Sequence, residues 1–543
     1  MKKVFKRTLI ILGILFILLK GIEWWLEHNF NTRINSNPDR AYNIEYDDFD
    51  LHTFLKGITL DKVRIRPLNK VEGATTIIGD VDYATLKGLV WADLLFGKTL
   101  KIREIAFEKP VFEITLRTDT VKNNSGTGLQ NMFGDIVSRG DLQSFKIQNG
   151  SMILKEPESG KIKGQIHKVN IEAHELETDS VKLANLIPFN LGNLIVDIED
   201  VTFDLNEYTQ LSLAKIKYDF AGKILELNDL SMGYSIDWVA VSKKIGFQND
   251  VIELTVKEIS IHDVQHSSSF YSHLDILARK ILIDSVDIKL QRNKNLTRPP
   301  DAVKPMFNGM ISAIPIAVKS DSIQILNSTL TYTELGVNKD ESGSITIKNI
   351  DGIIYGFTNI PANQKHIGQL EAQLTANLNG YAAMDINLKV PYDREAFQLS
   401  VVLGQMELEK FNPMLVPLAG VEVKSGELKR LKYHMQAGPN VSENNMIFDY
   451  SNFHVTLMKE KENHQFKKRP IITLIGDAAI KNNNLPDHHN YLTANYQSER
   501  NVYRSPVNYI IHGLVQGAAR IVPAKNIGKM ITKDKKKKEK REK

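Results

Sequence analysis

The run SIQILNSTLTYTE, Ser322 to Glu334, places apolar side chains at Ile323 and Ile325, changes phase across Asn327-Ser328, and resumes at Leu330 and Tyr332. Alternation with a period of two describes a strand with one apolar face. A slip of one residue would turn that face over unless the backbone absorbs it. The slip recurs along the chain. Phe145 and Ile147 precede Asn149-Gly150 and give way to Met152 and Leu154; Leu194, Val196 and Ile198 give way after Glu199-Asp200 to Val201, Phe203 and Leu205. Ile281 and Ile283 give way after Asp284-Ser285 to Val286, Ile288 and Leu290, and a weaker version runs Val421, Val423, Ser425-Gly426, Leu428. Two structures produce this pattern. In a hairpin with a two-residue loop the flanking residues pair, so that Ile147 lies beside Met152. In a bulged strand the extra residue restores the original face. Asn149-Gly150 favours the hairpin turn; the other pairs fit either. Both outcomes keep the apolar side chains on one side of a sheet.

The rest of the chain agrees with a mainly β fold. KIREIAFEKPVFEITL (Lys101 to Leu116), IKGQIHKVNIEAHEL (Ile162 to Leu176), ITIKNIDGIIYGF (Ile345 to Phe357) and LTANLNGYAAMDINLKV (Leu374 to Val390) all alternate, and are rich in strand-forming residues. Helix candidates are few: Lys304 to Ala317, interrupted by Pro305 and Pro315, and Pro506 to Ile521. At 543 residues and 42% hydrophobic the chain has material for three or four globular units, unless the fold is elongated and repetitive. The expectation is an elongated, twisted, mostly antiparallel sheet whose continuous apolar face lines a groove. The alternative is two or three β-sandwiches whose sheets cover one another.

The amino terminus reads as an anchor. MKKVFKR precedes the apolar run TLIILGILFILL, and KGIEWWLEHNF follows without a small-residue cleavage site. Lys20 can snorkel and Trp24 and Trp25 suit a membrane interface, so a helix from about Thr8 to Leu26 can span. Four basic residues before the run, with Glu23 and Glu27 after it, place the amino terminus in the cytoplasm and the remainder across the membrane.

Net charge is +5, and it is confined to the ends: the last fifteen residues, Lys529 to Lys543, hold nine basic and three acidic side chains. Such a distribution does not describe a general polyanion binder, and no nucleic-acid partner is expected. Pro506 suits a first helical turn, after which Val507, Ile510, Ile511, Leu514, Val515 and Ile521 form a stripe with Tyr509 and His512 off it. Gly513 and Gly517 weaken an isolated helix. An amphipathic helix followed by a polybasic tail fits contact with an anionic membrane surface, and equally a helix capping the last strand. Cysteine is absent, which excludes disulfides and thiolate metal sites.

Catalytic patterns are wanting. HDVQH (His262 to His266), with His273 nearby, imitates a zinc-protease motif, but the preceding residues alternate as a strand and the acid is Asp263. His488-His489 falls in a loop by composition. GTGLQN (Gly126 to Asn131) lacks the third glycine of a nucleotide loop. No Gly-x-Ser-x-Gly elbow occurs. Neither an enzyme nor a cofactor is expected.

Four stretches carry a family likeness: LVWADLLFGKTLKIREIAFEKPVFEITL (Leu89 to Leu116), MISAIPIAVKSDSIQILNSTLTYTE (Met310 to Glu334), FNPMLVPLAGVEVKSGELKRLKYHM (Phe411 to Met435) and YQSERNVYRSPVNYIIHGLVQGAARIV (Tyr496 to Val522). In these the chain resembles the AsmA-like family of bacterial envelope proteins, members of the repeating β-groove lipid-transfer superfamily. The resemblance implies an inner-membrane anchor, a periplasmic β-groove, and a role in phospholipid movement or outer-membrane homeostasis. On that basis residues 1–30 are the cytoplasmic stub and anchor, 31–300 and 301–505 the two parts of the groove, 506–528 the amphipathic helix and 529–543 the basic tail. The expected partners are membrane phospholipids and envelope proteins. Ile147, Met152, Ile323, Ile325, Leu330 and Tyr332 are the candidate lipid contacts. The alternative function is a non-catalytic envelope scaffold of closed sandwiches that organises partner proteins.

Overall fold

The structure is a computed structural model that describes residues 42–52, 57–68, 76–89, 102–115, 142–157, 159–176, 192–265, 275–299, 302–460, 466–468 and 480–523, with Ile17, Lys20, Gly21, Glu23–Phe30, Thr32 and Asn35. These residues are mainly β, as expected, and divide into two compact units: residues 1–228 with 265–274, and residues 229–264 with 275–543. The division falls inside one strand at Asn228.

The first unit holds β1 (Tyr42–Glu45), β2 (Asp48–His52), β3 (Gly57–Pro67), β4 (Thr76–Lys87), β5 (Glu104–Glu108), β6 (Val111–Thr115), β7 (Ser144–Lys155), β8 (Ile162–His174), β9 (Asn193–Asp204) and β10 (Thr209–Asp219). β1 and β2 share the edge of β3; β5 and β6 share the edge of β4 and both run parallel to β7. β5 and β6 are in effect one strand broken at Lys109-Pro110, where proline has no N–H for the ladder. From β7 the strands meander antiparallel to β10. The apolar face of β2–β8 closes into a core with Leu26 and Phe30 of the helical segment before β1.

β11 (Ile224–Tyr234) straddles the division. The second unit continues with α1 (Trp238–Ile245), β12 (Asp250–His262), β13 (Asp275–Asn293), α2 (Phe307–Ser312), β14 (Ala317–Leu335), β15 (Ser342–Thr358), α3 (Pro361–Ile367), β16 (Gln369–Leu378), β17 (Ala382–Pro391), β18 (Phe397–Leu403) and β19 (Met406–Glu407). A short 3-10 turn, α4 (Asn412–Ala419), β20 (Val421–Ala437), β21 (Val441–Glu460), β22 (Phe466–Lys468), β23 (Ala494–Glu499) and α5 (Pro506–Ile521) complete it. The pairing is antiparallel except between β13 and β14. The helix expected over Lys304 to Ala317 is cut to the six residues of α2, because Pro315 and the start of β14 at Ala317 end it.

The phase slips lie inside strands and are not hairpin turns: those of β7 and β14 are bulges with a shifted register, while β9 and β13 keep an unbroken register with their neighbours. Asn149 lies in mid-β7 with φ 52°, and Asp200, Ser285 and Asn327 lie in β9, β13 and β14 with φ 55°, 55° and 50°. This left-handed conformation is tolerated best by short polar side chains that bond locally. The Asn149 backbone N–H donates to Asn170 Oδ1 at 2.8 Å, and that of Asn327 to Asp351 Oδ1 at 2.8 Å. Ile147 therefore does not pair with Met152; the two sit opposite Ile171 and Ile166 of β8. The slips also stack. In β8 the apolar phase changes between Val169 and Ile166, in β9 between Ile198 and Val201, and in β10 between Ile216 and Leu213, with Val169 opposite Ile198 and Ile198 opposite Ile216. A transverse crease thus crosses neighbouring strands and keeps one face apolar on both sides of it.

Candidate functional site

In the second unit the crease crosses β12, β13, β14 and β15, and the register arranges their apolar residues in a grid. Ladder partners project on the same face. One row is Ile261, Ile281, Ile323 and Ile354, and the next is Ile259, Ile283, Ile325 and Gly352. Beyond the crease come Leu254, Ile288, Leu330 and Ile347, then Ile252, Leu290, Tyr332 and Ile345. The opposite face of β13 and β14 carries Asp287, Lys289, Gln291, Thr329, Thr331 and Thr333. From Ile252 to Ile261 the grid runs about 30 Å along the strands at ~3.3 Å per residue.

The same apolar face is treated differently along the unit. Over β16–β21 it is roofed: Met306, Phe307 and Ile311 from the α2 segment, Leu408, Phe411 and Leu415 from the region of α4, and Tyr509, Leu514 and Ile521 from α5 form a closed core with it. Among the described residues, the closed core does not extend over β12–β14. Leu254, Ile259, Ile283, Val286, Ile288, Leu290, Ile325, Leu330 and Tyr332 are half-buried and belong to no closed cluster, and Ile252 is 38% exposed. The row of Ile261, Ile281 and Ile323 is the better shielded, with Ile323 at 7%. In the first unit β9 and β10 repeat the pattern, with Val196, Val201, Phe203, Leu211, Leu213 and Ile216 half-buried outside its core.

Charged rows end the grid. At one end Asp263 accepts from Arg279 at 3.0 and 2.7 Å. At the other, Arg292 donates through two nitrogens to the two oxygens of Asp250, both at 2.7 Å, and Lys294 pairs with Glu334 at 2.6 Å. The Tyr332 hydroxyl donates to Glu334 at 2.6 Å, and burial pushes its pKa well above the ordinary phenol value. The apolar strip is thus about as long as two acyl chains, since one leaflet of a bilayer's hydrocarbon is ~15 Å deep.

Of the candidate contacts, Ile323, Ile325, Leu330 and Tyr332 share this face. Met152 packs half-buried on the core of the first unit, and Ile147 is enclosed within that core at 3% exposure, against Phe107 and Phe145 in the neighbouring rows. Sequence reasoning missed Leu254, Ile288 and Leu290 as their neighbours, because only the register reveals which strands lie side by side.

The expected anchor, Thr8 to Leu26, lies largely outside the described residues; among those described, no helix is long and apolar enough to cross a membrane. Trp24 and Trp25 are helical and exposed, at 67% and 41%, while Leu26 and Phe30 turn into the first core. At the other end α5 matches its expected bounds, but its faces differ from expectation. Tyr509, placed off the stripe, is buried at 2%, and the stripe residues Val507, Ile511 and Val515 are exposed. The glycines are the reason. A Cβ on Gly513 would lie 2.2 Å from the Tyr433 hydroxyl, and one on Gly517 2.3 Å from Met446 Sδ, so the glycine face docks closest to the sheet.

His262 is hydrogen-bonded to Ser260 at 3.0 Å and Asp263 is engaged by Arg279, while His266, His273 and the Gly126–Asn131 segment lie outside the described residues. A cleft of about 410 Å³ at the ends of β16–β18, β20 and β21 has a mixed lining, in which Gln369, Lys389, Arg394 and Glu443 stand beside Pro391, Phe397 and Val441. The chain matches no protein-family model. Neither does any curated protein match it.

Proposed function

We propose that this is a membrane-tethered envelope protein that shelters lipid acyl chains on the apolar face of β12–β14 and assists phospholipid transport or outer-membrane homeostasis. One observation carries the reading: a grid of aliphatic side chains about 30 Å long that, among the described residues, the roof of α2, α4 and α5 stops short of covering. A half-buried aliphatic surface of this size is costly where it meets water, and covering it with hydrocarbon gains about 0.8 kcal/mol per methylene buried. Binding is passive: the chain lies on the strip while the headgroup stays with the charged row at its end. The amino-terminal anchor holds the protein at the inner membrane with its bulk in the periplasm. The outward row Val507, Ile511 and Val515 of α5, at 57%, 49% and 62% exposure, together with the basic tail, supports a second membrane contact.

A photoreactive benzoylphenylalanine at Leu330 of the full chain in cells tests this. A covalent adduct of phospholipid mass at Leu330, absent at Thr331 on the other face, is the expected result. Equal labelling of both positions, or none, overturns it. The scaffold reading draws on the closed cores over β1–β8 and β16–β21, and adducts of protein mass at Leu330 would favour it.

A further inference from the structure

The polar face of the second unit carries a cleft of its own. On the other face of the same strands, Ala372, Leu388, Leu399 and Met435 stand in register against the closed core. One residue away in each strand the side chains leave on the opposite side of the sheet. There Lys389, Gln398, Gln436 and Glu443 form a ladder row across β17, β18, β20 and β21, all exposed and all lining the cleft of about 410 Å³. Beyond that row, where the strands end, Pro391, Ala396 and Val441 supply an apolar side. The turns that frame the cleft are pinned. The Arg394 carbonyl accepts from the Asn308 side-chain amide at 3.1 Å and from Ala396 N–H at 2.9 Å. Gly438 N–H donates to Val441 O at 3.0 Å, while Arg500 donates from its backbone to Asn440 O at 2.7 Å and from its guanidinium to Pro439 O at 3.2 Å. Beneath, buried Phe397 packs edge-on against Phe307 with ring centroids 5.1 Å apart. The cleft is thus preformed, and its volume falls within the ~300–1,000 Å³ of small-molecule pockets.

Its chemistry selects the ligand. Lys389 pairs with Glu371 at 3.1 Å and Arg394 with Asp393 at 3.4 Å, so neither cation is held in readiness for an anion. Beside them stand two amides, Gln398 and Gln436, and the Glu443 carboxylate. An amide both donates and accepts, as a hydroxyl does, and a carboxylate accepts from hydroxyl donors. A pyranose ring carries C–H bonds on its faces and hydroxyls around its edge, which matches an apolar side set against a row of such groups. We infer that this cleft binds a neutral pyranose saccharide, its ring against Pro391, Ala396 and Val441 and its hydroxyls shared among Gln398, Gln436 and Glu443. The site lies on the face of the sheet opposite the apolar strip, and it does not rest on the lipid reading.

Full-length protein in lauryldimethylamine oxide, a detergent without a sugar head, is titrated with cellotetraose and chitotetraose and followed by saturation-transfer NMR. Diglycine serves as a zwitterionic probe of similar polarity. The variants are E443A, Q398A/Q436A, A396W, whose ring fills the cleft, and T375A, exposed further along β16 on the same face, as a control. Gln398, Gln436 and Glu443 are exposed, so their variants keep the test intact should A396W unfold. The expected result is saturable binding of at least one saccharide, with E443A and Q398A/Q436A weaker on the order of tenfold, A396W without binding and T375A unchanged. No saturable binding of either saccharide to the parent protein overturns the site, and so does binding of diglycine alone. Parent affinity in both E443A and Q398A/Q436A places the saccharide elsewhere and overturns it as well. A loss in T375A equal to that in E443A overturns it by showing an effect of the whole face.

Discussion

The side-chain amide of Asn327 donates to Asp284 Oδ1 at 3.0 Å, joining two neighbouring parallel strands at the crease, where β14 is bulged against β15. The bond is the largest of the causes that hold the Asp284 carboxyl below its ordinary value, ahead of Ser285. Asn327 itself has φ 50°. The residue therefore serves twice, accepting a left-handed backbone and tying the crease across β13 and β14.

Substitution at this position separates the two roles. Asn327→Gly keeps the backbone and loses the bond, and is expected to cost well under 1 kcal/mol. Asn327→Val loses both and is expected to cost about 1–2 kcal/mol or more, because a β-branched side chain resists φ > 0. Urea midpoints for the two variants check the order. A Val variant as stable as Gly would show that the crease relaxes freely.

For Gly513 helix propensity and packing disagree. Propensity alone makes Gly513→Ala stabilising by about 1 kcal/mol. The added Cβ, however, would lie 2.2 Å from the hydroxyl of Tyr433, which is buried at 1%. Overpacking of this kind costs about 1–3 kcal/mol, so the net effect is destabilising and α5 becomes the first segment cut by limited proteolysis. Protection equal to the parent protein would contradict the close docking.

The strip contains two kinds of isoleucine and leucine position. Ile323, 7% exposed, is expected to lose about 2–5 kcal/mol as Ile323→Ala, whereas half-buried Leu330→Ala loses about 1–2 kcal/mol. On the proposed reading, bound lipid would change the comparison. Saturating ligand adds about 2.7 kcal/mol at a hundred times its dissociation constant, so delipidation lowers the melting temperature of the parent protein and has less effect on Leu330→Gln. Equal shifts in both proteins would place the lipid elsewhere.

Alkaline pH has a defined sign. Burial raises the Tyr46 phenol to about 12, and desolvation raises Tyr496 likewise to about 12. A group raised on folding contributes stability that is complete below the unfolded pKa, about 10, and is lost as pH climbs through the folded value. Unfolding free energy should therefore fall between about pH 10 and 12. Tyr46→Phe should reduce the slope there and leave stability near pH 7 within about 1 kcal/mol, since the Tyr46 hydroxyl is buried without a partner. A flat profile across that range would mean the hydroxyl is wet.

Much of this protein is local in origin and so was legible in the chain itself. The period of two at Ile281, Ile283, Ile323 and Ile325 reflects side chains leaving a strand on alternate sides, which needs no partner to be true. The slips at Asp284-Ser285 and Asn327-Ser328 mark residues that tolerate a left-handed backbone, and Pro506 to Ile521 begins on local capping chemistry, with the Ser505 side chain accepting from Asn508 N–H. Other decisions were not local. Asn149-Gly150 suits a turn by itself, and only the long pairing of β7 with β8 made it a bulge. Ile147 and Leu330 occupy equivalent places in similar patterns, yet one is enclosed by Phe107 and Phe145 while the other lies where the roof of α2, α4 and α5 has ended. Burial depends on what packs against a face, and packing joins residues far apart in sequence. The chain alone decided which side of each strand is apolar; only tertiary structure decided how far the described roof of α2, α4 and α5 covers that side.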